Sequence, residues 1–148
     1  MIRLQTAPFD VGAELEKLTG GRTNIGAAVT FTGLVRDASY GRDVKRLHLE
    51  HYPGMTERAL AAIEAEAAER WRLDASLIVH RYGTLLPGDP IVLVITASAH
   101  RDDAFSAAWF LIDWLKVKAP FWKREDGAEG SRWVEPQDSD EEASGRWS

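Results

Sequence analysis

Ser98-Ala99-His100-Arg101-Asp102-Asp103 opens a segment that runs through Phe105 to Leu115 and closes on Lys116-Val117-Lys118-Ala119-Pro120-Phe121-Trp122-Lys123-Arg124-Glu125. Just before it, Ile91-Val92-Leu93-Val94-Ile95 is a continuous apolar run of strand length, which predicts a central strand covered on both faces. Thr96 to Ala99 then leads into a helix. Phe105, Ala108, Ile112 and Leu115 form one apolar stripe on it, and Trp109, Phe110 and Trp114 widen that stripe beyond a single packing face. Either the helix is nearly surrounded, or one side meets a ligand or another subunit. Pro120 disfavours helical geometry at Ala119, so the helix ends near Lys118. Apolar and aromatic residues separate the cations Arg101, Lys116, Lys118 and the adjacent pair Lys123-Arg124. A helix N-terminus followed by convergent Lys and Arg suits an anionic, phosphate-bearing small molecule. The competing reading is a surface helix whose last cations cap its dipole.

Upstream, Ile2 to Gln5 reads as a short edge strand. Asp10 caps a short helix with Val11, Leu15 and Leu18 on one face, ended by Gly20-Gly21. Gly26 to Arg36 is rich in β-branched and apolar residues and reads as a buried strand, with Arg36 at its exit. Asp37 to Asp43 reads as a mobile loop. Val44 to Tyr52 alternates, predicting a second strand that forms a long antiparallel pair with the first. Thr56 is placed to cap a helix, starting there or one residue earlier, in which Ala59, Leu60, Ile63, Ala67 and Trp71 recur at helical steps. Ala75 to Tyr82 reads as a strand, Gly83 to Pro90 as a turn, and Arg132 to Glu135 as an edge strand. Asp138 to Ser148 reads as a loosely held acidic tail, frayed or folded over a neighbour. Two β-α-β-like passages with mostly antiparallel pairing, and no repeat or linker, predict one α+β domain over residues 1–148 with two main helices.

The 148 residues suffice for one domain with a real core. No run reaches membrane-spanning length, and the N-terminus has no basic leader before an apolar core. A cytoplasmic protein that meets no membrane is expected. The net charge of −5 argues against nucleic-acid binding. Between Glu125 and Glu142 the acids face only Arg132, so the preceding basic cluster is local and fits a pocket better than a polyanion track. There are no cysteines, which excludes disulfides, thiolate nucleophiles and cysteine-ligated metals. Any sulfur chemistry must draw its sulfur from a partner.

Each candidate has a plain alternative. His100 and Arg101, at a helix start, can hold a phosphate together with exposed N–H groups; alternatively His100 caps the helix and Arg101 pairs with Asp102 or Asp103. Lys116 shares a helix face with Ile112 and Trp109, as a proton donor or amine nucleophile would, or as an ordinary lysine snorkelling to water. Lys118 points elsewhere. Lys123 and Arg124 follow Phe121-Trp122 after a proline turn and are either positioned charges or partners of Glu125 and Asp126. Arg36 sits at a strand exit, as ligand-binding or as surface arginine. His48, His51 and His80 lack metal-binding spacing. No nucleophile elbow, phosphate loop or dinucleotide fingerprint is present.

Four stretches together resemble one family: Val29 to Arg36, Leu49 to Thr56, Ser98 to Arg101, and Lys116 through Lys123-Arg124-Glu125. The chain is similar to the large, catalytic subunit of molybdopterin synthase over almost its whole length. The resemblance implies an α/β hammerhead-type fold and a central homodimer. It implies a small ubiquitin-like sulfur-carrier subunit at each end, giving a heterotetramer, whose Gly-Gly tail carries a thiocarboxylate into the pocket. It implies a sulfurtransferase that converts cyclic pyranopterin monophosphate to the dithiolene of molybdopterin by two sulfur transfers, without metal or other cofactor. Carried over by position, Lys116 is the central catalytic lysine with Lys123 beside it. Arg36, His100, Arg101, Lys116, Lys123, Arg124 and Glu125 contact substrate, Phe31 and Ile112 wall the pocket, and some of these come from the second subunit. Leu34 stands where the family often has lysine, and Gln137 lies near a position that is often arginine. A non-catalytic module docking an acidic protein tail or nucleotide is the alternative.

Overall fold

The structure is a computed structural model describing residues 1–39, 41–134 and 138–147. In chain order the elements are β1 (Ile2–Gln5), α1 (Val11–Thr19), β2 (Ala27–Leu34), β3 (Ala38–Ser39), β4 (Arg42–Asp43), β5 (Arg46–His51) and α2 (Met55–Arg70). There follow β6 (Ala75–Arg81), β7 (Gly83–Leu85), β8 (Pro90–Ser98), α3 (Arg101–Lys118), β9 (Phe121–Gly127), β10 (Gly130–Val134) and α4 (Asp138–Gly145).

The apolar run in β8 is continuous because both of its faces are buried. β8 is an inner strand of a sheet ordered β1-β6-β8-β2, antiparallel except where β1 runs parallel to β6. Leu77, Val79, Leu93 and Ile95 point to one face, covered by Phe9 and by Val11, Leu15 and Leu18 of α1. Ile78 and Val94 point to the other, against Leu60, Ile63 and Ala67 of α2 and Phe110 and Leu111 of α3. Asp10 caps α1 as expected, its Oδ1 accepting from the Ala13 N–H at 2.9 Å. A second antiparallel sheet, ordered β10-β9-β5-β7, packs a smaller cluster of Val35, Leu47, Leu49 and Leu85. The architecture is α+β, as the sequence predicts.

Several local expectations are corrected. β2 and β5 do not pair: β2 lies beside β8, while β5 sits between β9 and β7 in the other sheet. Alternation says that a strand has one buried face, and leaves its neighbour to long-range packing. Within the segment 37–43, read as a mobile loop, Ala38–Ser39 pairs with Arg42–Asp43 as a small hairpin, β3 against β4. Gly83 to Leu85 pairs with β5 before the turn at 86–89 begins. Gly54, not Thr56, is the N-cap of α2, and the Glu57 carboxylate accepts from the Gly54 N–H. Thr56 is buried, and its hydroxyl accepts from the Tyr52 N–H at 3.0 Å. Phe121 to Gly127, read only as a positioned charged stretch, is a strand.

Helix α3 is also rotated from its predicted phase. Its buried residues are Ala104, Ala107, Ala108, Phe110, Leu111, Asp113 and Leu115, while Phe105 and Trp109 are 61% and 53% exposed. The alanines allow close approach to the sheet, so they take the inner face and push two of the bulky rings out. The acidic end is helical and tied down. The Trp147 indole donates to Asp113 Oδ2 at 2.7 Å, and its ring packs edge-on to Trp71 and Phe110. Arg70 Nη2 donates to the Trp147 carbonyl at 2.6 Å. Gln137, at the departure noted above, lies outside the described residues.

Candidate active site

The cationic residues fall into two groups at opposite ends of the first sheet. His100 is the N-cap of α3 with extended backbone (φ −126°, ψ 141°), and Arg101 is the first helical residue. His100 thus occupies the cap position, although its side chain makes no capping hydrogen bond. With Gly26, Ala27, Ala99 and Asp102, His100 and Arg101 line a cavity of about 440 Å³. The first N–H groups of α3 have no partners within the helix, which favours an anion there, although Asp102 opposes one. Gly26 permits this packing: its N–H donates to Ser98 O at 3.0 Å, and a Cβ would lie 2.2 Å from the Ala99 carbonyl oxygen.

The second group gathers where α3 ends. β8 hands over to α3 at Ser98, and the Thr96 hydroxyl donates to Ala104 O at 2.7 Å, so the helix runs back along the strand. Lys116 is therefore roughly 23 Å from Arg101 along the axis, at about 1.5 Å per residue. Lys116 is exposed one helical turn after Ile112. Phe31 of β2 and Ile112 both pack at the margin of the core formed by α2, α3 and the first sheet. Lys118 turns away, its Nζ 4.3 Å from the Trp114 ring centre. Ala119 is extended (φ −74°, ψ 122°) and ends the helix before Pro120, as predicted. Arg36 follows Val35, whose N–H donates to Asp89 O at 2.9 Å, so it belongs to the β8 start and not to the His100 end.

Strand β9 sorts the three candidate residues Lys123, Arg124 and Glu125. Lys123 and Glu125 oppose Leu49 and Leu47, whereas Arg124 opposes His48. Neighbours across a pair share a face, so Lys123 and Glu125 stand on the side of the buried leucines and Arg124 on the outer side. Arg124 pairs there with Asp126, Nε to Oδ1 at 3.0 Å. The Asp126 carboxyl is held below its usual range by the Ser131 hydrogen bond and then by Arg124. Glu125 accepts from Arg132 Nη2 at 3.0 Å. The geometry thus separates Arg124 from Lys123 and satisfies Glu125 within its own sheet.

Beneath Lys123 lies a group that sequence reasoning missed. His80 on β6 is buried and stacks on Phe121, centroids 3.9 Å apart at 20°. Burial, against an opposing hydrogen bond to Arg81 O, lowers its pKa from 6.5 to about 4, and the nearby Lys123 and His51 act in the same direction. These residues are distant in sequence and have no common motif, so only the strand register reveals them. Among the described residues no group of three or more His, Cys, Asp or Glu is placed to hold a metal ion. No helix is long and apolar enough to cross a membrane.

The family model described as "MoaE protein" matches residues 4–118. The chain belongs to the MoaE family. That match stops short of Lys123, but relatives extend further. A molybdopterin synthase catalytic subunit from Pseudomonas aeruginosa is 56% identical over 146 residues, covering 99% of this chain and 97% of its own. The Escherichia coli subunit of the same name is 54% identical over 140 residues, covering 95% and 93%. Among solved structures, a MoaE protein from Burkholderia ambifaria superposes with a TM-score of 0.85 at 48% identity, covering 99% of this chain and 97% of that one. Molybdopterin synthase from Staphylococcus aureus gives a TM-score of 0.83 at 34% identity, covering 90% and 96%. Within this chain the two cationic groups stay apart, at the start and the end of α3.

Proposed function

We propose that the chain is the catalytic subunit of a molybdopterin synthase, a cytoplasmic sulfurtransferase. It takes sulfur from the thiocarboxylated tail of a small carrier subunit and delivers it to cyclic pyranopterin monophosphate, forming the dithiolene of molybdopterin. The relatives' shared name and near-complete overlap support the activity. What supports the site is that Lys116 lies in the last turn of α3 and Lys123 stands in β9 just past the Pro120 turn, with Phe31 and Ile112 at the margin of the core that α3 packs on. In this reading Lys116 moves a proton or holds the thiocarboxylate and the intermediate formed after attack, and Lys123 stabilises developing negative charge. Arg36 binds the substrate's anionic groups from the same end. His100 and Arg101, one helix length away, serve the pocket of a second copy in a homodimer. The absence of cysteine fits a donor that arrives on a partner. No metal or cofactor is needed for this scheme.

Arg124 and Glu125 have a lesser share. Arg124 faces outward, and Glu125 holds Arg132, so their part is to keep β9 in register with Lys123. Lys116→Ala, assayed with thiocarboxylated carrier and purified precursor, is expected to lose dithiolene formation by at least 100-fold, in the range for removal of a general acid or base, while still co-eluting with the carrier. Near-normal turnover ends the assignment. A docking module without chemistry predicts carrier binding by the native chain and no product.

A further inference from the structure

The proposed pocket leaves two histidines without a task. His80 is 8% exposed on β6. His51 ends β5 in the other sheet, with its Nδ1 buried and without a hydrogen-bond partner. Phe121 lies between them, stacked on His80 and 6.4 Å from the His51 ring at 55°. His51 in turn meets Tyr82 edge-on at 4.5 Å. His80 carries its proton on Nδ1, which donates to Arg81 O at 2.9 Å and so fixes the plane of the ring. The rings therefore bridge the two sheets where the chain leaves Pro120 and enters β9. Phe121 and Lys123 are two residues apart, so they share one face of the strand.

We propose that the His80–Phe121–His51 stack is a positioning device for Lys123, with His80 acting through Phe121 and not on the substrate. This rests on the reading of Lys123 as catalytic. After the turn at Pro120 the chain enters β9 at Phe121, whose N–H donates to Ala119 O at 2.8 Å and which pairs with His51 at the very end of β5. A flat ring held in a fixed plane stops Phe121 from sliding and thereby sets the rise of Lys123 from the sheet. An aliphatic side chain at position 80 would fill space without fixing that plane. The ring must also be uncharged. Lys123 faces it from β9 and His51 from β5, whereas the adjacent Arg81 guanidinium is turned away onto the Thr6 and Pro90 carbonyls. An imidazolium there would repel Lys123.

The test uses the assembled synthase with thiocarboxylated carrier and precursor. A displacement of about 1 Å can cost on the order of 100-fold in rate. His80→Ala is therefore expected to lower kcat by at least tenfold with KM within twofold. His80→Phe, which keeps a flat uncharged ring on Phe121 but gives up the bond to Arg81 O, recovers a third or more of the loss, the remainder being the share of that bond in fixing the plane. Amide hydrogen exchange at residues 121–123 speeds up in His80→Ala and returns in His80→Phe. A His80→Ala enzyme within twofold of native kcat, beside an inactive Lys123→Ala, overturns this inference alone. Native turnover by Lys123→Ala overturns it together with the catalytic reading. Should His80→Ala not fold, Phe121→Leu answers the same question by the same kcat, KM and exchange criteria.

Discussion

His80 shows how burial holds an imidazole neutral beside a lysine. Its pKa of about 4 in the fold lies below the 6.5 of an exposed histidine. The unfolded chain therefore takes the proton first, and stability is full above about pH 6.5. It falls as pH drops toward 4, by up to roughly 3 kcal/mol for this one group. Urea unfolding across that window should show the loss, and His80→Phe should flatten it; an unchanged slope in the variant would place the acid sensitivity elsewhere. Arg81 offers a second residue-scale check. It is 7% exposed, and its guanidinium donates to Thr6 O through Nε and Nη2 and to Pro90 O through Nη1. Arg81→Lys keeps the charge but cannot reach both carbonyls, and should cost about 2 kcal/mol in chemical denaturation with an unchanged m-value. Neither residue declares itself in the sequence, where His80 and Arg81 are two polar letters at the end of an apolar strand.

Among the elements, α3 does the most work because its two ends carry different chemistry. Its start depends on Gly26, which lies against the Ala99 carbonyl. Gly26→Ala should destabilise the fold by about 1–3 kcal/mol through crowding. It should also displace His100 and Arg101 while leaving both lysines in place. Steady-state kinetics should then show KM for the precursor rising more than kcat falls; equal loss in both would mean that the cavity at this helix start plays no part in binding. The start of α1, the end of α3 at Lys118 and the double burial of β8 were legible, because caps, proline and apolar runs are local signals. The true phase of α3 was not, since packing against the sheet favoured alanines over the more hydrophobic Phe105 and Trp109.

At the scale of the molecule, Arg101 and Lys116 are too far apart in one chain to grip one small substrate. If two copies complete each pocket, Arg101→Ala and Lys116→Ala homodimers are each inactive. Refolding them together makes mixed dimers with one doubly damaged and one intact site. Random pairing by twofold symmetry then restores roughly a quarter of native activity. No recovery in verified mixed dimers would place each pocket within one chain.

Residue order alone determined the α+β class, the longer helices, the central strand and the cationic candidates, because each follows from periodicity, caps and residue chemistry over short spans. The tertiary structure alone decided that β2 and β5 part company, that Arg124 turns outward while Lys123 faces the leucines, and that His80 stacks on Phe121. Those outcomes depend on strand register and on which surfaces compete for burial. Such choices are made between residues far apart in the chain, and no local pattern encodes them.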